Sequence, residues 1–229
     1  RPGRARRSDQ PEMDCARHGA GARLSTGLPG KVRPETGGCM RRLICAALAA
    51  VSFSATHAIE AGGTRFDDAV RLADNELVVN GAGVRKKAFF KVYSMALYLP
   101  AKQVESTSIL ALPGAKRVSI TLLRDLSAQQ FVDALNEGLV ANHTEAEMAQ
   151  LKARIQSFSE TMLTIGEAKT GMRLDLDWLP GNGLRLSVAG QVRGKLIEGE
   201  DFYRALLRVW LGEKPVQADL KQALLGKGQ

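Results

Sequence analysis

From residue 66 to residue 225 the apolar positions follow two periods in turn. A period of two predicts strands and a period near 3.6 predicts helices. Phe66 to Leu72 alternates in part and predicts a short strand, and Ala73-Asp74-Asn75 is a turn by composition. Glu76 to Arg85 alternates around Leu77, Val79, Gly81 and Gly83 and predicts a strand. Its glycines leave room for a bulge or for close approach of another backbone. The basic pair Lys86-Lys87 is expected to turn the chain into Phe89 to Leu99, a strand apolar on both faces in places and so expected inside a sheet; Pro100 ends it. Lys116 to Leu123 is a further strand, rich in branched residues. Met172 to Leu179 sets Met172, Leu174, Leu176 and Trp178 against Arg173, Asp175 and Asp177, the pattern of a half-buried strand with one polar face. Turns at 180–183 and at Ala189-Gly190 join Leu184–Val188 and Gln191–Ile197 to it as an antiparallel meander.

The helical segments announce themselves by their caps. Ser127 with Gln130 and Thr144 with Glu147 each have the spacing of a capping box. The first helix carries Phe131, Ala134, Leu135, Gly138 and Leu139 on one face and ends at Ala141-Asn142-His143. The second has Met148, Leu151 and Ile155 as its stripe, with a continuation from Glu160 to Ile165 that Gly166 ends. A short helix is expected over Gln103–Leu112. Gly199-Glu200-Asp201 opens a helix over Phe202–Leu211 with acidic residues at its positive end and Gly212 as its C′ residue, and Ala218–Leu225 is a shorter one. Strands, then helices, then strands, then helices argue an α+β fold: a large antiparallel sheet with helices layered on one face.

Composition changes the picture at the N-terminus. The chain has 229 residues, a formal charge of +8 and a pI near 9.6, which resembles a nucleic-acid signal. Residues 1–58 hold ten Lys/Arg and four Asp/Glu, and taking these from totals of 32 and 24 leaves 22 against 20 for 59–229. That balance is ordinary, and no nucleic-acid partner is expected. Residues 1–39 are rich in Gly, Pro and Arg, lack apolar periodicity and are expected to be a non-native or disordered upstream extension. Met40-Arg41-Arg42, the apolar run Leu43–Ala55 and the small-x-small ending Thr56-His57-Ala58 are the three parts of a secretory signal peptide. The run is too short to cross a hydrocarbon core of about 30 Å. Met40 is therefore the expected start, with cleavage after Ala58, a domain over 59–229, a periplasmic or secreted location and no membrane anchor. The alternative is a tail preceding an anchor.

Cys15, Cys39 and Cys45 all precede residue 59, and His143 is the one histidine after it. The domain thus has no disulfide, no thiol nucleophile and no histidine or cysteine metal cluster, and no cofactor is expected.

Candidate chemistry is sparse. Arg85 is a permanent cation whose fork suits a carboxylate, and Tyr93 and Tyr98 pair an apolar ring with one hydroxyl. An arginine and a tyrosine on neighbouring strands of one hairpin could face a common cavity and hold a molecule with an apolar body and an anionic head. A surface arginine with two core tyrosines fits the same letters. Asp175 and Asp177 lie about 7 Å apart on one strand face, which the alternation reads as the solvent side of a sheet rather than a catalytic pair. His143 reads as a polar cap residue, Trp178 and Trp210 as core, and Gly81-Ala82-Gly83 lacks the spacing of a dinucleotide fingerprint.

Three blocks, NGAGVRKKAFFKVYSMALYLP, RVSITLLRDLSAQQFVDALNEGL and GEDFYRALLRVWLGEKPVQADLKQALLG, resemble the bacterial chalcone isomerase-like proteins in that order. The resemblance covers nearly all of residues 66–226 and implies a large antiparallel sheet with a ligand cleft between it and its helices. The plant enzymes of that superfamily use an arginine in a GVR segment, a threonine on the next strand, and a tyrosine with a lysine or asparagine around the following helix. Here the arginine matches Arg85, Tyr93 takes the threonine position, and the tyrosine and lysine positions fall on Phe131 and Ala134. A phenylalanine cannot donate the hydrogen bond of the missing phenol. Relatives that bind fatty acids keep the arginine and have a tyrosine at the threonine position. The resemblance therefore implies a binder of a fatty acid or similar amphipathic anion at Arg85, Tyr93 and Phe131. An isomerase or intramolecular lyase acting on another substrate, and a partner-binding protein with a closed cleft, stand as alternatives.

Overall fold

A computed structural model of the chain describes residues 58–227. The expected extension and leader, 1–39 and 40–58, lie outside the described residues except for Ala58. In chain order the elements are β1 (Ile59–Ala61), β2 (Thr64–Phe66), β3 (Ala69–Leu72), β4 (Asn75–Lys87), β5 (Phe90–Leu99), α1 (Ser106–Ala111), β6 (Lys116–Leu122) and β7 (Leu126–Ser127). There follow α2 (Ala128–Asn142), α3 (Glu145–Leu163), β8 (Glu167–Ala168), β9 (Arg173–Leu179), β10 (Gly183–Val188), β11 (Gln191–Ile197), α4 (Glu200–Leu211) and α5 (Ala218–Leu224). Seven strands pair antiparallel in the order β11-β10-β9-β6-β5-β4-β3, and β1-β2 and β7-β8 form two small sheets.

Register separates the two faces of the large sheet. Met95 stands opposite Ile120 and Ile120 opposite Leu174; Leu97 stands opposite Val118 and Val118 opposite Leu176. These side chains are buried in one core with Phe131, Leu135 and Leu139 of α2 and with Phe202, Leu206 and Trp210 of α4. At about 25 cal/mol per Å² of apolar surface removed from water, this layer is the main source of stability. Both capping boxes are present, at Ser127 with Gln130 and at Thr144 with Glu147.

The opposite face differs from expectation. Tyr98, Arg117, Asp177 and Arg185 form one rung across four strands. Asp177 takes two hydrogen bonds from Arg117, at 2.5 and 2.9 Å, and one from Arg185 at 2.9 Å. Its side chain is 0% exposed. On the next rung Asp175 accepts from the Ser119 hydroxyl at 2.5 Å and from Arg173 at 3.0 Å. The polar face of β9 is thus a closed ion-pair network and not a solvent face. Alternation reports which residues share a side, not what covers that side. The Asp177 hydrogen bond, assisted by its charge, raises the Arg117 pKa above the ordinary arginine value against the effect of burial.

Several boundaries shift. Phe66–Leu72 is two strands, β2 and β3, broken at Asp67-Asp68. Lys86 and Lys87 belong to β4, and the turn falls on Ala88-Phe89, with Ala88 at φ +51°. The glutamine at 103 lies before α1, whose helix begins at Ser106. α3 runs without a break to Leu163. Gly212 has an extended backbone instead of the left-handed one expected at C′. A Cβ there would come within 2.2 Å of the Asn142 side-chain oxygen, so close packing fixes this residue.

Candidate functional site

The β4–β5 hairpin positions the site. Val79 pairs with Tyr98 but Gly81 pairs with Leu97, so Asn80 is an extra residue in β4, the bulge that the glycine pattern allowed. The Asn80 side chain is 4% exposed and is spent on three backbone bonds, to Gln103 N and O at 2.7 and 2.9 Å and to Leu224 O at 2.7 Å. Beside it α5 lies against bare backbone. A Cβ on Gly81 would stand 2.1 Å from Ala223 O, and one on Gly83 2.8 Å from the Ala223 Cβ.

Past the point where α5 covers β4, the sheet and helices part to leave a cleft of about 620 Å³. Its lining includes Arg85, Tyr93 and Phe131, and also Ala134, which is exposed on α2 instead of packed into the core. The structure thus brings the three sequence-derived residues to one cavity. Arg85 and Tyr93 are direct cross-strand partners. Leu135, Val209, Trp210 and Val216 extend the apolar wall, and Lys87, Arg124 and Lys214 bring further positive charge, against one carboxylate, Glu137.

Two features fix the polar end. The Tyr93 hydroxyl accepts a 2.9 Å hydrogen bond from the Trp210 indole N–H, which leaves the phenolic proton free to be donated. Burial raises the Tyr93 pKa above the ordinary phenol value, and the opposing effects of Trp210 and Arg85 do not cancel it. Tyr93 is therefore a neutral donor at physiological pH. Arg85 is half-buried, bonds the Lys86 carbonyl and lies 3.4 Å from the Gln217 side-chain oxygen. Gln217, just before α5, also takes the Lys86 N–H at 2.7 Å and donates to Val84 O at 3.1 Å. It holds this part of β4 as a further strand residue would. Among the described residues no carboxylate pairs with Arg85.

The remaining candidates fall elsewhere. Tyr98 points to the other face, 0% exposed, and burial pushes its pKa up to about 12. His143 caps α2, with Nδ1 2.8 Å from Leu139 O. Trp178 is core, as expected, whereas Trp210 is both core and cleft. The one sequence signal for that second role is the need of a buried indole N–H for an acceptor. Gln217 carries no sequence signal at all. Among the described residues no group of His, Cys, Asp or Glu could hold a metal ion, and no helix is long and apolar enough to cross a membrane.

An antiparallel sheet with helices on one face and an apolar cleft edged with cations defines an α+β protein with an open cleft between sheet and helices. Residues 58–226 match the family model described as chalcone isomerase-like, and the chain belongs to that family. A fatty-acid binding protein of Arabidopsis thaliana has a similar crystal structure: TM-score 0.56, 16% identity, covering 73% of this chain and 95% of that one. At that identity the likeness establishes the fold. No curated protein sequence matches.

Proposed function

We propose that the protein binds a fatty acid or a similar amphipathic anion in this cleft, without catalysing a reaction on it. One observation carries the reading: Arg85 and Tyr93 face each other across β4 and β5 at a cavity, one without a carboxylate partner among the described residues and the other with an uncommitted phenolic proton. Together they offer a head group charge-assisted hydrogen bonds. Phe131, Leu135, Val209 and Trp210 offer the tail an apolar wall, and about 620 Å³ falls within the ordinary range for ligand pockets. The fatty-acid-binding protein of the same fold supports the same ligand class. Phe131 has no hydroxyl with which to assist a cyclisation.

The test is calorimetric titration of a long-chain fatty acid and its methyl ester into the protein and into Arg85→Ala. Loss of a charge-bearing partner costs about 2–5 kcal/mol, roughly 30-fold to several thousand-fold in affinity. The ester is expected to bind weakly and to lose little more in the variant. Equal affinity for acid and ester would remove Arg85 from the site.

The reading extends to export. The family match begins at residue 58, where the leader is expected to end. N-terminal sequencing of protein recovered from the periplasm is expected to begin at Ile59; a mature chain that retains residues before Met40 would exclude it.

A further inference from the structure

The tip of the β4–β5 hairpin is unlike the rest of the surface. Phe89 is 100% exposed and Phe90 61% exposed, side by side on the turn that Ala88 makes at φ +51°. Phenylalanine is ordinarily among the buried residues. Around the two rings stand Lys86, Lys87 and Lys91, all exposed, and Arg124, whose guanidinium lies 4.9 Å from the Phe90 ring centre. None of these four cations pairs with a carboxylate among the described residues. The sequence has no Asp or Glu between Glu76 and Glu105.

We infer that this hairpin tip docks on an anionic lipid bilayer, with Phe89 entering the interface and the lysines meeting the head groups. Aromatic rings partition to the boundary between head groups and acyl chains, and basic residues beside them are drawn to anionic lipid. A convex tip two residues wide fits a deformable surface better than a flat protein face. A second copy of the tip would set four cations against four. The near balance of charge over residues 59–229 gives no wider footprint for nucleic acid. Lys87, Ala88 and Phe90 also line the cleft, so a docked tip places the cleft mouth at the bilayer. Direct exchange of ligand with the bilayer rests on the fatty-acid reading; the docking itself does not.

The test uses the full chain carrying Phe89→Trp, because the basic residues before 58 could by themselves hold the protein near anionic vesicles. Trp178 and Trp210 are 6% and 2% exposed, and the unsubstituted protein supplies their background. The probe is vesicles of phosphatidylcholine with 30 mol% (about a third) phosphatidylglycerol, plain or with brominated acyl chains. The indole introduced by Phe89→Trp is expected to shift its emission to shorter wavelength and to be quenched by the brominated lipid. Adding Lys86→Glu, Lys87→Glu and Lys91→Glu is expected to weaken that response at least about tenfold, since each basic residue near such a surface contributes about fivefold. An unshifted emission while the protein sediments with the vesicles would overturn the inference. So would an equal response to neutral vesicles, or a shift that appears without vesicles and grows with protein concentration. Tyr93→Phe placed in the Phe89→Trp background is expected to leave the vesicle response intact, and Phe89→Trp to leave fatty-acid binding in vesicle-free solution intact. Failure of the docking and failure of the cleft reading are thus distinguishable.

Discussion

The indole of Trp210 on α4 donates to the hydroxyl of Tyr93 on β5 over 2.9 Å, and both residues are buried. This bond ties a helix to the sheet at the wall of the cleft and decides which way the phenolic proton points. Tyr93→Phe therefore removes more than a hydroxyl: it leaves a buried N–H without a partner. The expected cost is about 1–3 kcal/mol of stability, with weaker fatty-acid binding. A double-mutant cycle with Trp210→Phe is expected to give a coupling energy of about 0.5–1.5 kcal/mol by denaturant titration. Additivity within error would mean that the bond does no energetic work.

Chalcone turnover is expected to stay at the spontaneous rate. Phe131 and Ala134 line the cleft at the positions where the resemblance calls for a tyrosine and a lysine. Turnover followed by absorbance, well above the uncatalysed rate and abolished by Arg85→Ala, would overturn this.

The three tyrosines of the chain, Tyr93, Tyr98 and Tyr203, are all held protonated above the ordinary phenol range, in each case chiefly by burial. Tyr98 is pushed up to about 12. The unfolded chain releases these protons near pH 10 (roughly the free phenol value), so above that pH the folded state binds more protons than the unfolded one. Stability is full below that pH and falls as pH rises through the folded values. Absorbance at the tyrosinate band is expected to rise together with the loss of tertiary signal, in one step. Ionisation of a phenol at its ordinary pKa in folded protein would contradict the burial described above.

Asp177 is the centre of the outer-face network, and Asp177→Ala leaves Arg117 and Arg185 facing each other without an anion. Removal of one member of a buried ion pair costs about 3–5 kcal/mol, and for a domain of this size each kcal/mol lowers Tm by about 2–4 °C. A fall of at least about 6 °C is expected by calorimetry. A smaller change, within about 1 °C, would place Asp177 in a solvated setting after all.

Much of this was legible in the sequence, because the α+β layout follows from periods and caps that are local. Ser127 with Gln130 and Thr144 with Glu147 set their helices from four residues each. Arg85, Tyr93 and Phe131 converge because β4 and β5 pair directly and α2 follows β6 and β7. Hidden were the features that depend on residues distant in sequence. Gln217 bonds to Lys86 from 131 positions away, and no local pattern announces it. Asp175 and Asp177 alternate as solvent-facing residues would, and only the neighbouring strands, bringing Arg117, Ser119 and Arg185 into register, enclose them.

The seat of α5 on β4 has a consequence for the order in which the protein is made. The bulged strand around Asn80 leaves the ribosome early, yet the carbonyl that its side chain requires, that of Leu224, is 144 residues later. Until then Gly81 and Gly83 are a bare stripe of backbone without the helix that covers it, and the cleft lacks the wall that Lys214, Pro215 and Val216 supply. Neither this wall of the cleft nor the cover of β4 exists before residues 214–224 are in place, so that segment acts as the closing stitch. A nascent chain stalled short of it carries an uncovered strand β4 and a cleft with one wall missing.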